Sequence, residues 1–325
     1  MRRRDFLLSA FAPGSTLMTV RGPVAASSLA IILPHEHLFS MFGEEPAELH
    51  QYDTQLLMAT VVPYLENLRA QGCTAIIDGT TAWFGRQPAL LGDISSRTGI
   101  QILTNTGYYG AANDRYVPKS AFEESADQIA ARWLAEWTDG IGGTGIKPGF
   151  VKLGVDAGPL SGIDRKLITA AARTHRKSGL TLAVHTGDNP VALHEQLAVL
   201  RAEGVAPGAL VWIHANQCPD DAAVLGAAAA GAWISLDGLA ADTMDRHLAL
   251  CRALKSAGRL HRVMLSHDGN TFRANGKRPM KTYTALFTDF IPRLTVAGFD
   301  QAEIRALTVQ NPALAYAVGV RDLPQ

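Results

Sequence analysis

Phe150-Val151-Lys152-Leu153-Gly154-Val155 places a lysine inside an otherwise apolar run. Side chains alternate between the two faces of a strand, so Lys152 points opposite to Val151 and Leu153. If the neighbouring runs build a barrel, that direction is inward, where an ammonium without a partner carries a heavy desolvation penalty. An ion pair with an inward carboxylate such as Asp237 or Asp268 is one way to relieve it. A chemical way exists as well: the neutral amine adds carbon dioxide to give a carbamate, an anionic ligand whose two oxygens can bridge two cations.

Seven further runs of the same kind lie on either side of this one. The eight fall near residues 30–37, 73–79, 100–106, 149–155, 180–186, 209–214, 232–238 and 262–268, and each is followed by polar or glycine-containing turns. Segments with helical spacing lie between them, among them 55–70, 120–137, 165–178, 190–203, 220–230 and 242–257. Asp300 is placed to cap a closing helix from Gln301, and a last helical pattern runs over 312–318. Strand and helix alternate, with no linker or repeat to divide them, which predicts an α/β protein with one (β/α)8 TIM barrel.

At 325 residues, 47% hydrophobic and 18% charged, the chain can bury a large core. Its formal net charge is zero, and no basic stripe carries interleaved aromatics, so a nucleic-acid partner is not expected. Arg3 and Arg4 precede Asp5-Phe6-Leu7-Leu8 in the manner of a twin-arginine export signal, and Val24-Ala25-Ala26 offers small residues for cleavage. Residues 1–26 are therefore expected to be a signal peptide and 27–325 the barrel domain, in a periplasmic or secreted protein that meets a membrane only during export. Cys73, Cys218 and Cys251 are odd in number and lack paired spacing, which predicts free structural thiols rather than a disulfide framework.

Five more potential metal ligands share the predicted rim with Lys152. His35 and His37 face the same side of the first strand while Glu36 faces the other. His185 and His214 end the fifth and sixth strands. Asp268 ends the eighth, and His267 should point away from it. Alone, a His-x-His pair is weak; six such residues at strand ends on one rim can hold a pair of ions.

This pattern, His-x-His on strand 1, lysine on strand 4, histidines on strands 5 and 6 and aspartate on strand 8, resembles the phosphotriesterase family of the amidohydrolase superfamily. The resemblance implies two divalent metal ions, often zinc, bridged by carboxylated Lys152 and hydroxide. It assigns His35, His37 and Asp268 to the buried ion, and His185 and His214 to the more exposed one. Such a pair lowers the pKa of a bridging water toward about 7 and polarises the substrate's carbonyl or phosphoryl oxygen, while Asp268 accepts the proton. Relatives are commonly dimers, so a homodimer is a further expectation from the resemblance.

Two positions depart from the family. An acidic residue three places after the strand-6 histidine, and a histidine after the strand-7 aspartate, form a proton relay in phosphotriesterases; here they are Gln217 and Gly238, beside a retained Asp237. Family lactonases have a tyrosine that aligns with Tyr109, which could orient a lactone or protonate its leaving oxygen, and Tyr108, Trp83 and Phe84 also lie near the rim. Arg273, Lys277, Arg278 and Lys281 follow strand 8 with no acidic residue between Gly269 and Thr288, a loop suited to an anionic substrate group. These readings predict a hydrolase of lactones or related esters. The alternatives are an organophosphate triester or diester hydrolase, and a metal-containing binding protein of the same fold.

Overall fold

Asn270, Phe272 and Arg273 run parallel to, and in register with, His37, Phe39 and Ser40, which supplies the pairing between last and first strands that a barrel needs. The computed structural model describes residues 15–323. A hairpin comes first, β1 (Thr16–Thr19) with β2 (Gly22–Ala25). The barrel then uses β3 (Ile31–Ser40), β4 (Cys73–Asp78), β5 (Gln101–Leu103), β6 (Asn105–Thr106), β7 (Phe150–Gly154), β8 (Thr181–His185), β9 (Leu210–Ile213), β10 (Trp233–Leu236), β11 (Val263–Leu265) and β12 (Asn270–Arg273).

These strands pair in two parallel arcs, β12-β3-β4-β5 and β6 through β11. Each arc continues into the other along the chain. Only Thr104 separates β5 from β6, and at the second seam the Asp268 N–H donates to the His35 carbonyl while the His37 N–H donates to that of Gly269. The result is a (β/α)8 barrel with all eight expected strand positions occupied, two of them broken into shorter segments.

Helices follow from local signals. Ser161 and Asp164 form a reciprocal capping box for Gly162–Ser178, which stops at Gly179 in the left-handed conformation. Asn189 caps Pro190–Ala202, whose first residue is a proline suited to that place. The helix expected over 120–137 is two helices, Lys119–Glu123 and Ala126–Asp139, because Ser125 and Gln128 form a second capping box and restart it. The closing helix expected from Gln301 begins there, capped by Asp300, and the last one spans Asn311–Tyr316.

Alternation sorts the core into layers. Val151, Leu153, Leu182, Val184 and Trp212 pack outward against the helices. Phe150, Ala183, Val211, Ile213, Trp233 and Met264 fill the barrel interior and form its floor. The hairpin seals that floor: Leu17 is fully buried in the interior cluster, the Val20 N–H donates to the Ile102 carbonyl at 2.8 Å, and Val318 N–H donates to Thr16 at 2.9 Å. Residues 16–25 thus pack as part of the folded domain. The paired arginines at 3 and 4 lie outside the described residues. Cys73, Cys218 and Cys251 are buried and unpaired with one another.

Candidate metal centre

All six candidate ligands line one cavity of about 250 Å³ at the carboxyl ends of the strands, together with Tyr109, Phe84, Arg273 and Lys281. Lys152 is inward and buried as its alternation predicts, but it makes no ion pair with Asp237 or Asp268; its Nζ lies 3.3 Å from His35 Nε2. Burial pushes the Lys152 amine down to about 8, a shift that the carboxylates of Asp237 and Asp268 only partly oppose.

Two irregularities of the backbone bring the histidines in. Ile32 belongs to the floor, so strict alternation would turn His35 outward. Between Leu33 and Glu36, however, three steps along β3 match two along β4, and this bulge resets the alternation. His214 follows the floor residue Ile213 and would face the helices, yet its left-handed φ of 64° turns the ring into the cavity. Asp268 also has a left-handed φ, 52°. Such conformations cost a non-glycine residue on the order of 1–3 kcal/mol and persist where surrounding contacts enforce them. Gly79 completes the fit, because a Cβ there would sit 2.9 Å from the His35 ring and 3.2 Å from that of His37.

The donor atoms converge without protons to share. His37 Nδ1 lies 2.8 Å from Thr80 Oγ1, whose own hydroxyl donates to the Phe39 carbonyl. Nδ1 therefore carries the proton and Nε2 presents a lone pair, 3.4 Å from Asp268 Oδ1. His35 Nε2 is 3.8 Å from the same oxygen. Ligands on a tetrahedral zinc, with bonds of about 2.0–2.2 Å, stand about 3.3–3.5 Å apart, so these lone pairs are spaced as an ion would have them. His35, His214 and Asp268 bring ligand atoms all within 4.8 Å of one another. The His185 ring is 4.7 Å from that of His214, and the His214 ring 5.1 Å from that of His35, centroid to centroid, so the two expected ligand subsets adjoin.

Electrostatics favour the forms that bind metal. Burial holds the imidazoles of His35 and His185 below their ordinary value and lowers His214 to about 4, so these rings are neutral near pH 7. Burial would raise Asp268, but His37, His35 and His214 around it hold its carboxyl well below the usual range. The residues present fit a divalent metal ion.

Asp237 has a part that sequence reasoning missed. Fully buried, its Oδ2 accepts the His214 N–H at 2.9 Å and faces His35 Nδ1 at 3.5 Å and His214 Nδ1 at 3.6 Å, so one carboxylate stands behind two rings. The signal available was its position just after the buried run Trp233–Leu236. Glu36, facing away, accepts from Ser266, His267 and Gly269 and clamps the two ends of the barrel together; His267 is held there, out of the cavity. Tyr109 stacks edge-on against His185, with centroids 5.4 Å apart, and its hydroxyl has no hydrogen-bond partner among the described residues. Burial raises that phenol, which keeps it a neutral donor. Phe84 reaches the cavity, while Tyr108 packs against Trp133 and Trp83 stays outside the lining. From the basic loop, Arg273 and Lys281 line the cavity, Lys281 Nζ lying 3.1 Å from Asp268 Oδ2, whereas Lys277 does not and Arg278 pairs with Glu44. Gln217 and Gly238 contribute nothing to the lining.

Neutral imidazoles, an ionised aspartate and a buried amine at the mouth of a (β/α)8 barrel define a hydrolase-type metal pocket. The phosphotriesterase family model matches residues 15–316, and the chain belongs to that family, whose members are metal-dependent hydrolases of small molecules. A "phosphotriesterase homology protein" of Escherichia coli K12 is 30% identical over 292 residues, covering 86% of this chain and 96% of its own. An aryldialkylphosphatase of Saccharolobus solfataricus is 26% identical, covering 89% and 95% respectively. A solved structure of a PTE-like lactonase mutant from Deinococcus radiodurans superimposes with a TM-score of 0.83 at 27% identity, over 93% of this chain and all of the other.

Proposed function

We propose that the protein is a binuclear metal-dependent hydrolase of lactones or related carboxylic esters. The observation that carries this reading is Tyr109, whose ring lies against His185 in the cavity and whose hydroxyl has no partner among the described residues, together with Gln217 and Gly238, which cannot form the phosphotriesterase relay. Two divalent ions of the zinc type, when bound, would make a shared water acidic enough to react near neutral pH and would polarise the substrate carbonyl.

The chain's own residues do the rest. His35, His37 and Asp268 would hold the inner ion, His185 and His214 the outer, and Lys152 as its carbamate both. Asp268 takes up the proton as water adds to the carbonyl, and Lys281, 3.1 Å from its second oxygen, keeps that carboxylate aimed. Tyr109 donates a hydrogen bond to the ring oxygen that becomes the leaving alkoxide, and the aromatic wall of Phe42 and Phe84 seats the apolar part of the substrate. Arg273, in the cavity lining, suits a carboxylate on the substrate.

Proton release from the metal-loaded protein, measured over matched lactones, open-chain carboxylic esters, phosphotriesters and N-acyl amines with Lys152→Ala as blank, tests this. Lysine-dependent release strongest on lactones is expected. Release strongest on phosphotriesters would transfer the assignment to the activity of the aryldialkylphosphatase relative. Silence on every substrate with both ions bound would point to a binding role. The paired arginines support export as part of the same proposal, with processing ahead of Thr16 so that the floor hairpin survives; a mature amino terminus beyond Ala25 would overturn that point.

A further inference from the structure

Two pairs of consecutive aromatic residues are divided between two cavities. Phe84 and Tyr109 line the barrel cavity, whereas their chain neighbours Trp83 and Tyr108 line a second cavity of about 420 Å³. A positive-φ glycine adjoins each pair, Gly85 after the first and Gly107 before the second, in turns that send neighbouring rings to opposite sides. Arg132 and Glu136 of the helix Ala126–Asp139 face the second cavity from its far side, and Leu49, 77% exposed, stands at its rim.

The size is that of a small-molecule pocket, and the lining selects what fits. Arg86, 8% exposed, places its guanidinium nitrogens 3.0 and 2.7 Å from the Glu136 carboxylate. Arg132 pairs with Glu124. An anionic ligand would have to displace one of these carboxylates, and a cationic one would find both already engaged. Two donors remain. Tyr108 is 7% exposed, yet its hydroxyl has no hydrogen-bond partner among the described residues, and neither has the Trp83 indole N–H. The charges acting on the phenol are those of Arg132, Glu136, Glu124 and Arg86, so the hydroxyl is turned toward the wall that carries them. Burial raises it to about 12, which keeps its proton in place. Trp133 backs the ring, with centroids 5.4 Å apart, and holds that direction. A nearly buried donor without a partner costs free energy until an acceptor satisfies it.

We propose that this second cavity binds a small uncharged aromatic molecule carrying a hydrogen-bond acceptor, and that its occupancy is felt in the barrel cavity through the two shared turns. The ligand's ring lies against Trp83 and Tyr108, and its acceptor takes the Tyr108 hydroxyl proton in a hydrogen bond. Trp83 and Phe84 belong to one turn of 3₁₀ helix, and Tyr108 and Tyr109 are joined by one peptide bond, so displacing the outer rings displaces the inner ones. Tyr109 is the ring that lies against His185. The two sites share no lining residue, and what couples them is the ligand's preference for one arrangement of these turns over another.

The test uses the full, metal-loaded protein with benzamide as the probe. Fluorotyrosine incorporation gives each tyrosine a fluorine-19 line, and Tyr108→Phe and Tyr109→Phe assign the two that matter. Titration should shift the Tyr108 line saturably, at one benzamide per chain and a Kd of about 10⁻³ M for so small a ligand. The Tyr109 line should move over the same concentration range. Tyr108→Phe, read from the Tyr109 line, should weaken binding about 5-fold, the scale of one lost neutral hydrogen bond, and Trp83→Ala should abolish it. Tyr108→Phe keeps the ring and its packing on Trp133, so its effect is not that of a misfolded chain. A Tyr108 line that does not shift saturably overturns the site. A Tyr109 shift unchanged in both variants places the probe in the barrel cavity and overturns it equally. A saturable shift at Tyr108 with Tyr109 unmoved overturns the coupling. Every readout is independent of turnover, so the result stands apart from the hydrolase reading.

Discussion

Phe150 and Lys152 stand two residues apart on β7, on the same inward face, yet they serve opposite ends of one barrel. Phe150 and its neighbours at the floor are fully apolar, regularly alternating and sealed by the hairpin. Lys152 and its neighbours at the mouth depend on a bulge in β3, two left-handed non-glycine residues and a buried amine without a carboxylate partner. The floor is arranged for burial and carries stability; the mouth holds conformations and charges that lower stability unless something binds among them. Strain concentrated at one end of a regular scaffold is what a pre-organised site requires.

If that division holds, substitutions at the two ends should fail differently. Lys152→Ala should abolish activity and metal retention together while the melting temperature of the metal-free protein holds or rises, because an uncompensated buried amine is gone; calorimetry beside metal analysis reads both. Tyr109→Phe should lower kcat on lactones by about 10²-fold, the scale of a lost proton donor. It should leave phosphotriester turnover and metal content unchanged. Asp237→Asn should weaken metal binding by about 10–100-fold, as loss of a carboxylate behind ligating rings does, which competition with a chromogenic chelator would show. At the floor, Leu17→Ala should cost about 2–5 kcal/mol in denaturant unfolding with kcat per bound metal pair unaltered. A floor variant that lost activity while folded, or a mouth variant that merely melted earlier, would break the division.

Much of the architecture was legible because apolar runs and capping residues are local signals. The eight strand positions and the inward direction of Lys152 need only alternation, and the helix beginning at Gln301 needs only Asp300. Closure was not legible, since it rests on pairing between residues more than two hundred positions apart, such as Asn270 with His37. The candidate ligands were found by type and order along the chain, but their convergence was not a consequence of simple alternation. His35 reaches the cavity through a bulge and His214 through a left-handed residue, and neither position carries the glycine or asparagine that would have announced it. The hairpin was not legible for a related reason: nothing local in the sequence reveals that Leu17 is buried beneath the barrel.

The account stands most directly on the claim that the mouth holds two ions joined through Lys152. Metal content per chain, measured on wild type and Lys152→Ala after dialysis at the same free zinc and paired with the carbon-13 carbamate signal of protein loaded under labelled carbon dioxide, tests it. Two ions and a carbamate resonance in the wild type, both lost in the variant, are the predicted result. Equal metal content in the two proteins, with no carbamate signal in either, would contradict it.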